Sequence, residues 1–461
     1  MSTVTCSTAT HLRRRALLPR YEGRAPRYTS YPTAVQFTPD VGPAVYADWL
    51  AALPTAAPIS AYVHVPFCAR LCWFCGCNTR AVKRGEGISD YVSLLVEELA
   101  MVESHLPAKL RLGALHLGGG TPNMLSLDDM AVLFGALRQV FRFDADAEIA
   151  AELDPAQLTA QWARAAAFHG LSRASLGVQD LSPAVQAAVN RREPFEMVAQ
   201  AAGWLRDAGV RSLNIDLMYG LPLQRTQDVL ATLDSVLTLR PDRIALFGYA
   251  HVPWMKPHQK LINDADLPGA SQRLDQSEHA AERLAAEGYV QIGLDHFALP
   301  HDSLAVALAQ GQLRRNFQGY TADPHQTLLG FGASAIGRLP QGLVQNHAAE
   351  LTWRKAVADG VLPTARGLAF SDEDRFRGDI IERLMCDFSV DLAAVRARHG
   401  RSAAAIGDAV ASLAEAIDDG VVELAGERLT MTQMGRPFVR QVAAAFDACL
   451  APGAARHSSA V

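Results

Sequence analysis

No stretch of this 461-residue chain strings together the roughly 18 apolar residues that a membrane-spanning helix needs. An export signal is missing too: in the basic opening LRRRALLPR (12–20) only Ala16 to Leu18 are apolar before Pro19 and Arg20 interrupt. The expectation is a cytoplasmic protein. Neither sign of charge is in large excess, since 43 Lys and Arg stand against 48 Asp and Glu. A net charge of -5 gives no reason to expect nucleic acid or an anionic membrane as the main partner. Cysteine is scarce and odd in number at seven, and Cys6, Cys386 and Cys449 stand apart from one another, which excludes a disulfide framework. These three read as small buried hydrophobes or inert thiols.

With 49% hydrophobic and 20% charged residues, the composition is that of a soluble globular enzyme. Short apolar runs at 59–67, 112–120, 147–154, 173–180, 212–220 and 243–251 alternate with helical patterns. One of these opens at Ser89 and another at Ser126, where Asp129 completes a capping-box spacing. Such alternation predicts a parallel sheet covered on both faces, either an open doubly wound sheet or an α/β barrel. Glu152, Gln179 and Asp216 fall near the carboxyl ends of different strands, where barrel enzymes place their chemistry, so the barrel is preferred. The run 289–299 reads as a further strand, and the Gly- and aromatic-rich segment 314–337 as a lid or binding loop rather than a core element. Beyond about Gly367 come helices and a hairpin around Ala425-Gly426, a winged-helix-like end. Between Arg366 and Phe446 ten basic residues face thirteen acidic ones, which argues against DNA. The predicted fold class is α/β: a partial (β/α)6-type TIM barrel over 59–365, an N-terminal extension over 1–58, and a mostly helical C-terminal domain over 366–461.

Four of the seven cysteines crowd into CARLCWFCGCNTR (68–80). Thiolates can bind zinc or an iron-sulfur cluster. Structural zinc usually draws two pairs from separated segments, whereas these four share one short loop after a strand. In a cubane, Cys68, Cys72 and Cys75 would ligate three irons and leave the fourth open. The loop resembles that of radical S-adenosylmethionine enzymes, in which the open iron is chelated by S-adenosylmethionine and an electron from the cluster cleaves a carbon-sulfur bond, giving a 5'-deoxyadenosyl radical. By that resemblance Cys77 is not a ligand, and its role is left between a packed thiol and a group near the substrate.

The likeness extends through RYTSYPTA, YVHVPFCARLCWFCGCN, HLGGGTP, SLGVQD, VNRRE, NIDLMYGLP, FGYAHVP, DHFA and NFQGYT, which in this order resemble the oxygen-independent coproporphyrinogen III oxidases over nearly the whole chain. The resemblance implies oxidative decarboxylation of two propionates of coproporphyrinogen III to vinyl groups, forming protoporphyrinogen IX in haem biosynthesis. It also implies a single 4Fe-4S cluster, two S-adenosylmethionine molecules, a small reducing electron-transfer protein as partner, a monomer, and an N-terminal extension that covers the active site. Read position by position, Tyr62, Phe74, Gly119, Glu152 and Ile336 would face the first S-adenosylmethionine. Gly120, Thr121, Gln179, Arg191, Asp216 and Ala250 would surround the second. The glycines would let backbone approach the ligand closely; GGGTP lacks the endings of a phosphate loop. Asp154, just before Pro155, is the expected cap of the next helix, and solvation is the ordinary fate of a residue such as Arg191 beside Arg192. Arg27, Arg314 or Arg315, His251 and His296 are candidate cations for four propionates. The tryptophan at Trp73 and the leucine at Leu117 depart from the family pattern without touching a ligand. Two rivals stand beside this reading. One is a haem-carrying relative, which would lack both the CGC thiol and the RYTSYP opening; the other is a structural zinc protein with an interaction module.

Overall fold

The computed structural model describes residues 8–83, 85 and 87–450, so Cys6 lies outside the described residues. Six strand-helix units follow one another: β1 (Ile59–Val65) and α1 (Ile88–His105), β2 (Arg111–Gly119) and α2 (Leu127–Val140), β3 (Arg142–Leu153) and α3 (Ala160–Phe168). β4 (Arg173–Gln179) leads to α4 (Phe195–Asp207), β5 (Ser212–Tyr219) to α5 (Thr226–Leu237), and β6 (Arg243–Gly248) to α6 (Ala270–Ala286). The six strands pair in parallel in that order. Leu328–Phe331 adds a parallel strand beside β1. Antiparallel strands then extend both edges of the sheet, so it wraps without closing. The expected partial barrel is what forms.

Local chemistry explains the element boundaries. Ser126 and Asp129 exchange hydrogen bonds at the start of α2, the capping box read from the sequence. Asp154 likewise accepts from the N–H of Ala156 at 2.9 Å. α1 departs from expectation: it begins at Ile88, after a left-handed Gly87, rather than at Ser89. The run 289–299 is also not one strand. It folds as an antiparallel hairpin, Val290–Ile292 against His296–Ala298. Gly293, at φ +56, makes the reversal, and a Cβ there would lie 2.0 Å from the Tyr320 ring. The segment 314–337 is not a lid throughout either, because Leu328–Phe331 is buried at all four positions. Its glycine is a packing requirement: a Cβ on Gly330 would come 2.8 Å from the Ile336 carbonyl oxygen.

Strand alternation splits the barrel residues by polarity. One set, including Val63, Leu117, Ala151, Leu176, Ile215 and Ile244, is buried in the main hydrophobic core with residues of the helices. The other set, in register across the sheet, is Tyr62, His116, His64, Glu152, Ser175, Asn214 and Asp216. The strands are covered on both faces as expected, with His64, Ser175 and Asn214 buried, but the inner face is polar rather than apolar.

A second core joins the two ends of the chain. Leu17, Leu18 and Tyr21 of the N-terminal helix (Thr8–Tyr21) pack with Phe376, Ile380, Leu384 and Phe438 of the C-terminal region. Arg20 and Tyr21 both bond Asp419, at 2.7 and 2.9 Å. The C-terminal region has the helix Asp372–Asp387, the helix Leu392–His399, and a hairpin of Val422–Ala425 with Arg428–Met431 that pairs with Ser389–Asp391. Cys386 is fully buried there, as a small hydrophobe would be. No helix among the described residues is long and apolar enough to cross a membrane.

Candidate active site

The cysteine loop leaves the carboxyl end of β1 and is tied down by two other loops. Carbonyl oxygens along it accept in turn: Leu71 from Asn190 Nδ2 (3.0 Å), Phe74 from Gln259 Nε2 (3.0 Å), Cys75 from His258 Nε2 (2.8 Å) and Cys77 from Lys256 Nζ (2.9 Å). The N–H of Trp73 donates to the Val189 carbonyl at 3.0 Å. Four donors from side chains fix a segment that has almost no regular structure of its own, which is how a loop can hold three thiols at set positions.

The thiols differ in their surroundings. Cys68 Sγ lies 3.1 Å from Thr79 Oγ1 and accepts from Thr121 Oγ1 at 3.4 Å. Burial pushes its pKa up, and the two hydroxyls pull the other way. Cys72 is buried and is also raised by burial, opposed by Arg191, whose Nη1 lies 3.5 Å from its sulfur. Cys75 is brought down to about 7 by its hydrogen bond with Cys77. Cys77 is exposed. Among the described residues no three His, Cys, Asp or Glu side chains stand close enough to hold one metal ion between them. A cubane makes a different demand, since each thiolate meets its own iron. Three soft sulfur donors on one anchored loop, with hydroxyl and guanidinium groups beside them, fit such a cluster.

On the inner face, His64 Nε2–H donates to the Asn78 carbonyl at 2.8 Å, so its Nδ1 accepts from the Tyr62 hydroxyl at 3.0 Å. The Tyr62 ring stacks on His116 with centroids 5.9 Å apart. His116 Nε2–H donates to Glu152 at 3.2 Å, and the Gly119 N–H reaches the other carboxylate oxygen at 3.1 Å. Burial would raise the Glu152 pKa, but these two donors and nearby His64 bring it below the ordinary value. Glu152 is thus an anion held ready on the inner face. Across from it Asp216 accepts from Ser175 Oγ and Asn214 Nδ2, both at 2.7 Å. Here burial wins, helped by the charge of Glu152, and the Asp216 pKa rises. His116 Nδ1 and Asn214 Oδ1 are buried without a hydrogen-bond partner, one on each side. Unsatisfied polar atoms beside two carboxyl groups are what a zwitterionic ligand with a ribose would complete, so the inner face fits S-adenosylmethionine.

The remaining predicted residues gather around this face. Gln179 ends β4 in a left-handed conformation, at φ +69. Its side chain and that of Arg191 both come within 3.4 Å of where a Cβ on Gly177 would sit. Arg191 is not the solvated residue that its position beside Arg192 suggested: its side chain is 12% exposed and ion-paired with Glu193 at 3.1 Å, while Arg192 is exposed. Its pKa moves against burial, raised by Glu193, Asp154 and Cys72. Phe74 and Ala250 are linked through one side chain, because Gln259 Nε2 donates to both carbonyls, at 3.0 and 3.3 Å. Ile336 lies against Gly330, the parallel-register partner of Tyr62. The glycines have a reason within the chain: a Cβ on Gly119 would lie 2.3 Å from the His64 ring, and one on Gly120 would lie 2.7 Å from the Phe67 backbone. The space that a side chain would need there is filled by protein rather than held open for a ligand.

Of the candidate cations, Arg27, Arg315 and His251 line one cavity at the barrel mouth. Arg314 instead pairs with Glu382 at 3.1 Å, and His296 is buried with Nδ1 2.7 Å from Asp295. Sequence reasoning missed Thr79, His64, His116, Asn214, Glu193 and the run Lys256-Pro257-His258-Gln259. The period-two alternation of polar residues in YVHV and NID was the available signal for His64 and Asn214. Nothing local marks Thr79 or Gln259, whose partners are distant in sequence.

A radical SAM superfamily model matches residues 62–236, and a HemN C-terminal domain model matches 370–438. The chain is 49% identical over 440 residues to an oxygen-independent coproporphyrinogen III oxidase of Bradyrhizobium diazoefficiens, covering 95% of this chain and 98% of that protein. The chain belongs to the oxygen-independent coproporphyrinogen III oxidases. Identity to an anaerobic coproporphyrinogen III oxidase of Cereibacter sphaeroides is 46%, over 95% of this chain and 97% of that one. The solved structure of coproporphyrinogen III oxidase (HemN) from Escherichia coli, described as a radical SAM enzyme, superposes with a TM-score of 0.88 at 37% identity, covering 92% of this chain and 98% of that one. As a family member the chain has the radical SAM fold with a second, mostly helical domain.

Proposed function

We propose that this chain removes carbon dioxide oxidatively, and without oxygen, from two propionate side chains of coproporphyrinogen III, forming protoporphyrinogen IX for haem biosynthesis. The observation that carries the reading is the full-length relationship, at 49% identity, of a chain whose three-cysteine loop is anchored at the head of a polar-lined barrel. Cys68, Cys72 and Cys75 hold the 4Fe-4S cluster. When bound, the cluster and S-adenosylmethionine together supply the radical that abstracts a hydrogen from the substrate.

The protein's own contributions are binding, orientation and the exclusion of water. Two S-adenosylmethionine molecules are held. Glu152, with Tyr62, Phe74, Gly119 and Ile336, binds the first. Asp216, Gln179 and Arg191, with Gly120, Thr121 and Ala250, bind the second. The pairing of Arg191 with Glu193 keeps that cation beside Cys72. The N-terminal extension, described over 8–58, covers the site, the barrel occupies 59–365, and the C-terminal domain begins at 366. The electron arrives from a small reducing protein, and the enzyme works as a cytoplasmic monomer.

The test is an anaerobic incubation of the reduced protein with coproporphyrinogen III and S-adenosylmethionine. Vinyl-bearing protoporphyrinogen IX is the expected product. Its absence from a protein with an intact cluster would end the reading, as would stoichiometric zinc without iron or sulfide in anaerobically purified protein.

A further inference from the structure

The cavity that holds Arg27, Arg315 and His251 has a volume of about 500 Å³, within the range of small-molecule sites. Its walls come from the ends of β5 and β6, from α6, from the N-terminal segment and from the C-terminal domain. Seven of its lining residues are arginine and three are acidic, a formal excess of four positive charges in a chain whose net charge is -5. Two of the three acids are already engaged: Glu278 is held by Arg14 and His11, and Asp295 by His296. Arg24 and Arg27 are exposed, but Arg14, Arg315 and Arg440 are buried and Arg273 and Arg436 half-buried, and cations withdrawn from water are costly unless something of the opposite sign belongs beside them.

Arg273 and Arg315 carry the argument furthest. Arg273 makes one hydrogen bond, from Nη1 to the Tyr249 carbonyl at 2.8 Å, and its Nε is buried with no partner among the described residues. Burial pushes its pKa down, with Arg27 adding to the effect. Arg315 is 9% exposed; it donates to the carbonyls of Tyr28 and Arg27 at 3.1 and 3.3 Å, and its Nη1 has no partner. Among the described residues neither guanidinium is within ion-pair distance of a carboxylate, although the charge of Asp295 acts on Arg315 from further off; both line a cavity that reaches Ala250 on the β6 side. They come from different parts of the fold, Arg273 from α6 and Arg315 from the short strand Arg314–Asn316.

We infer that this cavity seats the carboxylates of the substrate, and that Arg273 and Arg315 each hold one propionate that survives the reaction. The inference rests on the functional reading above and adds the groups that orient the ring. An anchor must grip a group that persists from substrate through product, so the two propionates that are not lost are the ones to hold. A guanidinium presents parallel N–H donors to a carboxylate, and a forked grip at two points fixes both the position and the rotation of a flexible tetrapyrrole. The reacting propionates are then turned toward the inner face beside Ala250. Selectivity follows, since an analogue without negative carboxylates leaves both cations buried and unpaired.

The test is anaerobic equilibrium dialysis of the cluster-loaded protein, without S-adenosylmethionine, against coproporphyrinogen III and against its tetramethyl ester. The wild type should prefer the acid by a hundredfold or more. Arg273→Gln and Arg315→Gln should each cut that preference about tenfold, the double variant about a hundredfold, and Arg273→Lys should recover part of it. Because the readout is a ratio, a variant that folds less completely lowers both affinities and leaves the ratio intact, and iron content reports the fold separately. An unchanged preference in the double variant would overturn the assignment while leaving the functional reading standing. A wild type that binds neither compound would instead defeat the substrate reading itself.

Discussion

Around the cysteine loop, charged groups meet their counterparts: Arg191 meets Glu193 and Asp154, Arg70 meets Glu193, and Glu152 meets His116 and the Gly119 N–H. In the neighbouring cavity, Arg273 and Arg315 hydrogen-bond only to backbone carbonyls and lie over the rings of Tyr219 and Tyr320, with no carboxylate within ion-pair distance among the described residues. The first region is built in advance for cofactors of little net charge, and its internal pairs hold the loop in shape. The second is left unbalanced, and a polycarboxylate completes it. The arginines that hold the loop and face the cofactors are therefore not the ones assigned to the substrate.

The largest expected effect lies on the balanced side. Replacing Cys72 with alanine removes one of three thiolates from an anchored loop, and product formation should fall below detection together with the cluster's visible absorbance. Retention of both would break the comparison at its root. Next in size is Glu152→Gln, which keeps the shape and removes the charge held by His116 and Gly119. S-adenosylmethionine affinity, measured by anaerobic calorimetry, should drop roughly ten- to a hundredfold, the cost of one charged hydrogen-bond set at about 1.5–3 kcal/mol.

A pair of arginine replacements sharpens the contrast directly. Arg191→Met leaves Glu193, whose side chain is 0% exposed, with one cation fewer, and should lower the melting temperature by several degrees. Arg273→Met removes a half-buried cation that has no carboxylate within ion-pair distance among the described residues, so the ligand-free protein should melt at the same temperature or a degree or two higher. Equal losses in the two variants would mean that the cavity is as well compensated as the loop.

The smallest effect concerns a buried acid outside both regions. Glu98 accepts from the Gly332 N–H, Asn346 and Trp353, yet burial lifts its pKa to about 7. The folded state then keeps a proton that the unfolded chain releases above its ordinary value near 4.5, so stability should decline as pH rises from about 4.5 to 7. In Glu98→Gln this decline should flatten, with the variant gaining a degree or two on the wild type between pH 5 and pH 8. Parallel melting curves would contradict the assignment.

The contrast between the regions also explains what the sequence made legible. The cysteine loop, the Ser126 and Asp129 cap and the strand-helix rhythm are local patterns, and each appears where it was read. Arg191 over Arg192 was legible only through resemblance, since burial on one side of a turn leaves no local mark. The cavity was largely hidden, because Arg27, Arg273 and Arg315 are hundreds of residues apart in part and meet only when the chain ends fold together. Leu328–Phe331 escaped notice for a related reason: three apolar side chains interrupted by a glycine carry no periodicity, and pairing with β1 alone makes them a strand. The hairpin at Gly293 reads as one strand until the Tyr320 ring is seen against it.

Electron paramagnetic resonance of the anaerobically reduced protein, recorded before and after S-adenosylmethionine is added, tests the central claim most directly. Three cysteines on one loop leave an iron open, so the account predicts a cluster signal whose g-values shift when the ligand binds. A cluster signal that stays unchanged at saturating S-adenosylmethionine would contradict it.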